Sequence, residues 1–416
     1  MKKLSVLPIL LLAFMAAHRP AAAVSEPAVP DAAAPKAAAS EAALSENAAS
    51  EAEAWQASQV IEGTITAEGP VELPEQPWEG QVIGLPGPED LEKAALRPGF
   101  ATFTNSVTVG RKRYSFTEVG TDPSLKNTKN AVVPVVIIPV QAIFDDGTVL
   151  DSTAPDACSG AQTPINLVAQ SPIVQNVNYG DGPRQYEEEF RRLEFWSFTG
   201  AAGARNPNYS VRAAFGRGPR LNLTAHGFPT QPAGCGRLGL IDINTWDAYA
   251  RASIFPALRN LGVGGPGGLV LFLFTNVVFY NHTQSNCCTL GYHSWFSFHG
   301  LQTYGVAEFD SNRSFKAGAD VSILAHELGE WYDDPLVNNA TPPWGHTGQV
   351  SGCQANLEVG DPLTGHFLNV PMSNGLVYHP QELAFFSWFF DENPSLGFDG
   401  WYSMAGTFRA PAAACH

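Results

Sequence analysis

Eleven residues from Leu269 to Phe279 carry only two polar side chains, Thr275 and Asn276. The run is too short for a membrane-crossing helix. It follows a turn-forming stretch, Gly264-Gly265-Pro266-Gly267-Gly268, and reads as a buried strand. That glycine-rich loop lacks the Lys and the helix start of a phosphate-binding loop. A second apolar run, Ala131–Phe144, also reads as a strand, and its prolines predict a break or an edge position. Thr102–Val109 and Arg113–Val119 are expected to pair across a turn at Gly110-Arg111-Lys112. Gln185–Phe198 has charged and aromatic residues at helical spacing, and Ile241–Leu261 reads as an amphipathic helix ending near Gly262. The expected class is α+β with a mixed sheet and a strand-rich N-terminal half.

The chain opens with Met1-Lys2-Lys3, an apolar run from Leu4 to Ala17, and Ala21-Ala22-Ala23. This is the pattern of a signal peptide over residues 1–23, and it predicts a secreted or periplasmic protein. Residues 24–98 are rich in Ala, Glu, Ser and Pro early and in Pro and Gly later, and are expected to be a disordered linker or pro-segment. Residues 99–416 are expected to form one domain. The formal charge of −16 falls to −19 once the three basic residues of the signal are removed. Such a chain repels nucleic acid and anionic lipid, and no membrane anchor is evident. All six cysteines lie beyond the signal, and their even number in an exported chain predicts disulfides. Adjacent Cys287 and Cys288 are expected to reach different partners. No Cys-x-x-Cys spacing is present, which argues against a thiolate zinc site.

The chemistry concentrates in Ser322–Pro335. Asp320 can cap a helix whose end is marked by Pro335, and Ile323, Leu324, Leu328 and Trp331 form an apolar stripe. His326 and Glu330 are four residues apart, so they share a face and can grip one cation. The pattern is the His-Glu-x-x-His of zinc peptidases with Glu330 in place of the second histidine. Zinc accepts a carboxylate there, at the price of a weaker Lewis acid. Glu327 would take a proton from water. A third ligand is needed, and Asn356-Leu357-Glu358-Val359-Gly360-Asp361 resembles the downstream string of gluzincins. There Glu358 would bind metal and Asp361 would hold His326 by its free ring nitrogen. The two roles can be exchanged, or Asp334 can be the ligand. His293, His346 and His366 are weaker candidates. Calcium is the alternative ion, since Glu330, Asp333 and Asp334 offer oxygen. The competing reading is a solvated acidic face.

Cys287–Ser294 reads either as a substrate-side loop with His293 near a metal or, slightly preferred, as a disulfide-pinned loop with a packed histidine. Tyr378–Phe390 is aromatic and reads as core. No Gly-x-Ser-x-Gly elbow is present, which weighs against a serine hydrolase.

His326-Glu327-Leu328-Gly329-Glu330, then Asp334-Pro335, then Glu358-Val359-Gly360-Asp361 resembles bacterial relatives of the exordium (phosphate-induced protein) family. Gly291-Tyr292-His293-Ser294 is similar to the Cys-x-Tyr-His-Ser segment of those proteins. The likeness covers Cys287 to Asp361. Asp333 departs from the family's Thr before Asp-Pro, and no Cys closely follows Asp361. The resemblance implies export and a common fold with a zincin-like helix, and leaves the activity open. The expected function is an exported zinc-dependent hydrolase acting on a peptide or protein substrate. The alternative is a non-catalytic exported or cell-surface binding protein with a structural metal site.

Overall fold

The computed structural model describes residues 59–67, 81–84, 98–180, 182–315 and 318–416. The expected signal segment and most of the expected linker lie outside the described residues. The strands, in chain order, are Val60–Thr66 (β1), Gln81–Gly84 (β2), Thr102–Val109 (β3), Lys112–Val119 (β4), Ala131–Phe144 (β5) and Val149–Asp151 (β6). A two-stranded ribbon of Val177–Asn178 (β7) and Pro183–Arg184 (β8) comes next, then Val211–Arg217 (β9), Arg220–His226 (β10), Thr230–Ala233 (β11) and Gly236–Asp242 (β12). Leu269–Thr275 (β13), Val277–Asn281 (β14), Thr283–Ser297 (β15) and Leu301–Phe309 (β16) complete the sheet. One mixed 12-stranded sheet runs β1-β10-β5-β13-β16-β15-β14-β12-β11, with β6 and β9 also on β5 and β2 on β15. The molecule is thus α+β with a large mixed sheet. Among the described residues no helix is long and apolar enough to cross a membrane.

Several local expectations change for identifiable reasons. β5 is neither broken nor at an edge: it is flanked by β13 and β6 on one side and by β9 and β10 on the other. Pro134 precedes Val135, the first residue paired to β13. Pro139 falls where β5 changes partners, since pairing to β9 ends at Ile137 and pairing to β10 begins at Val140. The missing N–H groups therefore fall at gaps in the ladders. Leu269–Phe279 is two strands, because Asn276 adopts φ +53° and sends the chain from β13 to β14, beyond β16 and β15. Its side chain anchors that corner by donating to Ser311 Oγ at 2.8 Å. β1 belongs to the sheet although composition assigns it to the linker; its Ile61 and Ile65 alternate inward and are buried.

β3 and β4 pair antiparallel as expected. The 243–260 segment is helical, with a π turn over Ala250–Ile254 between Ile243–Tyr249 and Phe255–Asn260. It covers one face of the sheet, where Trp246 packs edge-on against Phe272 and Phe274, and Phe255 against Tyr304. The Ser322–Asp333 helix packs against β15 and β16. Tyr292 reaches the first group, donating to Asp247 Oδ1 at 3.1 Å. Alternation along β15 therefore aims His293 at the Ser322–Asp333 helix.

The cysteines pair 158–235, 287–288 and 353–415. Cys287 and Cys288 bond to each other, contrary to expectation, because the other four cysteines satisfy one another across the fold. Phe385, Phe386, Trp388, Phe389 and Phe390 are all buried, as the aromatic segment predicts.

Candidate metal centre

The site helix, Ser322–Asp333, is buried along its whole length, not on one stripe. Burial of Ile323, Leu324, Leu328 and Trp331 contributes about 1.5–3 kcal/mol each and offsets the desolvation of the polar residues on the same helix. Asp320 does not cap it. The chain takes φ +27° there, and the Asp320 carboxylate accepts from His379 N at 2.9 Å and meets His379 Nδ1 at 2.6 Å. The helix lies close against β15 at Gly291, where a Cβ would stand 2.7 Å from Glu327 Oε1 and 2.6 Å from Ile323 Cγ2.

His326 is held by a hydrogen bond of its Nδ1 to Gln381 Oε1 at 3.2 Å. Gln381 Nε2 donates to Gly360 O at 2.7 Å, so its Oε1 is the acceptor and His326 Nδ1 carries the proton. In the neutral ring Nε2 then presents a lone pair. It faces Glu330 Oε1 at 2.8 Å, without hydrogen-bond alignment, and Asp361 Oδ1 at 3.6 Å. Two ligand atoms each about 2 Å from a tetrahedral zinc stand roughly 3.3 Å apart, so these separations suit atoms that share a cation. Asp361 is steered by Gln349 Nε2 and by Gln354 Nε2, the latter at 2.9 Å.

The same logic applies to His293. Its Nε2 donates to the backbone oxygen of Asp334 at 3.1 Å. Its Nδ1 faces Glu327 Oε2 at 3.3 Å and Glu330 Oε2 at 3.5 Å. Glu358 Oε2 lies 4.0 Å from His293 Nε2, while its other oxygen accepts from Asn356 Nδ2 at 2.9 Å. His293, His326, Glu327, Glu330, Glu358, Asp361 and Asp334 are each at most 2% exposed. His326 Nε2, Glu327 Oε1, Glu330 Oε2 and Glu358 Oε2 have no hydrogen-bond partner among the protein atoms. Buried groups of this kind are unfavourable unless something satisfies them.

The structure therefore gathers His326, Glu327, Glu330, Glu358, Asp361 and His293 into one buried cluster, but distributes them differently from the sequence reading. Asp361 faces the ligand nitrogen of His326, and Gln381 takes the orienting nitrogen reserved for it. Glu358 lies on the His293 side. His293 is on a strand among carboxylates, not packed in a loop. Asp334 caps the chain beyond the helix, accepting from Asn338 N at 2.9 Å and Asn339 N at 3.0 Å, so its carboxylate is already engaged. Asp333 points away, to Arg191. His346 and His366 are exposed. His346 lies near Cys353 and Cys415, but those sulfurs are in a disulfide and offer no thiolate.

Gly360 is essential to this packing: a Cβ there would lie 2.5 Å from the His326 ring. Its N–H also donates to Glu330 Oε1 at 3.3 Å. Gly360→Ala is expected to tilt His326 and weaken zinc binding by about 10–100-fold, the usual cost of disturbing groups that orient ligands. Competition against a chromophoric chelator would measure it, and unchanged affinity would remove the packing argument.

The titration behaviour follows from burial. Burial pushes Glu327 up to about 8, Asp334 to about 7 and Asp361 to about 6, and raises Glu358 well above its usual range. Glu330 is the exception: burial pushes it up, but His326 and His293 outweigh this and hold it down at about 2. Burial lowers both histidines, yet Glu358 beside His293 and Glu330 beside His326 raise them well above the ordinary value. The metal-free native state thus binds more protons than the unfolded chain between roughly pH 4.5 and 8, so its stability falls as pH rises through that window. A divalent cation held there would take the deprotonated ligands, so its stabilisation would grow over the same range. Thermal melts at pH 5.5 and 8, with and without zinc, should show opposite trends for melting temperature and zinc increment. Parallel trends would contradict this.

Comparison with protein-family models, with curated proteins and with solved structures finds no match to this chain.

Proposed function

We propose that this protein is an exported zinc-dependent hydrolase that cleaves peptide bonds. The observation that carries the reading is His326 Nε2 facing Glu330 and Asp361 in a buried cluster, with Gln381 fixing the ring. His326, Glu330 and Asp361 would hold the metal, and the single histidine favours zinc over calcium. A zinc ion held there would lower the pKa of a water and polarise a carbonyl.

The chain's own residues do the rest. Glu327 accepts a proton at Oε1, the oxygen without a protein partner, while its Oε2 lies 3.3 Å from His293 Nδ1. Asp334 positions His293 through its backbone oxygen. Gln349 and Gln354 hold the Asp361 carboxylate toward His326, and Gly360 and Gln381 keep the ring in place. Export is supported by the signal-like N-terminus and by the pairing of all six cysteines.

A second reading, a structural cation site in a non-catalytic exported protein, is favoured by the near-complete burial of every ligand. β2 bears on this, because Gln81–Gly84 pairs in parallel with Thr289–His293 of β15, beside the site. The deciding experiment is hydrolysis of a mixed peptide library by chelator-stripped and zinc-reloaded full-length protein, read by mass spectrometry. Cleavage that appears with zinc and vanishes with chelator is expected. Zinc binding with no cleavage would favour the structural reading.

A further inference from the structure

The carboxylates around the two histidines exceed what one ion can use. His326, Glu327 and Glu330 form one trio of possible ligands, and His293, Glu330 and Glu358 form another, each trio with its ligand atoms within 4.8 Å of one another. Glu330 is common to both. Its two oxygens diverge: Oε1 approaches His326 Nε2 at 2.8 Å, and Oε2 approaches His293 Nδ1 at 3.5 Å. Oε2 has no hydrogen-bond partner, and neither does Glu358 Oε2, which lies 4.0 Å from His293 Nε2.

We infer that the centre binds two divalent cations bridged by Glu330, the first between His326 and Asp361 and the second between His293 and Glu358. This deepens the zinc reading and rests on it. Each histidine is held by a hydrogen bond on one ring nitrogen, to Gln381 for His326 and to the Asp334 backbone for His293, and turns the other toward a different oxygen of Glu330. Charge supports the count. The four carboxylates that face the two histidines, Glu327, Glu330, Glu358 and Asp361, would carry four negative charges once cation binding deprotonates them, in a cluster at most 2% exposed. The nearby buried guanidinium of Arg191 is already engaged by Glu118, Glu194 and Asp333. One divalent ion leaves a large buried negative charge, and a second removes most of it. Two ions held this way would together activate the attacking water and polarise the scissile carbonyl of a peptide.

The test is zinc stoichiometry of chelator-stripped full-length protein after equilibrium dialysis, by elemental analysis. Two zinc ions per chain are expected for the native protein and one for His293→Gln. Glu358→Gln serves as the second variant should the first fail to fold, and circular dichroism reports folding for both. One zinc in the native protein, or two in both variants, would overturn the bridge and leave the mononuclear reading standing. No zinc at all would overturn both.

Discussion

Glu327→Gln is expected to lower turnover of a cleaved peptide by about 10²–10⁴-fold while leaving bound zinc in place, the range typical for loss of a general base. The argument rests on position. Glu327 follows His326 on the site helix, its Oε2 lies 3.3 Å from His293 Nδ1, and its Oε1 is buried with no protein partner. Burial raises its carboxyl to about 8 in the metal-free protein, and a neighbouring cation would lower it and keep the group ionised, ready to take a proton. Glutamine preserves shape and removes the basic oxygen. Steady-state kinetics with metal analysis of the same samples checks this. Unchanged turnover would remove Glu327 from its assigned role, and loss of zinc would make it a ligand instead.

Arg191→Ala is expected to destabilise the fold by about 3–5 kcal/mol, the usual consequence of leaving buried charge unpaired. Arg191 sits on the Tyr186–Glu194 helix and is fully buried. It pairs with Glu118 on β4, with Glu194 at 2.8 Å and with Asp333 at the end of the site helix. Glu194 in turn accepts from Phe386 N at 2.7 Å. One guanidinium therefore ties a hairpin, two helices and the aromatic segment together. Burial raises Glu118 to about 8 and Asp333 to about 6, and Arg191 opposes that rise in both. Arg191→Lys should recover only part of the loss, because an ammonium lacks the planar fork that serves three carboxylates. Urea unfolding would measure both, and a loss below about 1 kcal/mol for Arg191→Ala would contradict the assignment.

Local pattern made some of this legible. The hairpin of β3 and β4, the helices near 186 and 243, and the site helix follow from periodicity and turn residues within a few positions. His326, Glu327 and Glu330 are visible because helical spacing alone puts them together. What escaped the sequence is what the fold brings from afar. Gln381 lies 55 residues from His326, and Gln349 and Gln354 reach Asp361 from the Ala340–Thr347 and Val350–Asn356 hairpin. Glutamine carries no metal signature, so no motif marks these residues. Arg191 likewise reads as an ordinary charge on an amphipathic helix. His293 is hard to place from sequence because Cys287-Cys288 suggests a loop, whereas the segment is a strand whose alternation aims the ring inward. The prolines of β5 misled because their effect depends on which neighbour each residue faces, and pairing is not local information.

The central claim is a cation between His326 and Glu330. The most direct measurement is anomalous diffraction from crystals of the zinc-loaded protein, with data collected on both sides of the zinc absorption edge. The account predicts a zinc peak bonded to His326 Nε2 and a Glu330 oxygen at about 2 Å. Fully zinc-loaded crystals with no peak at that position, and with His326 Nε2 hydrogen-bonded directly to Glu330, would contradict it.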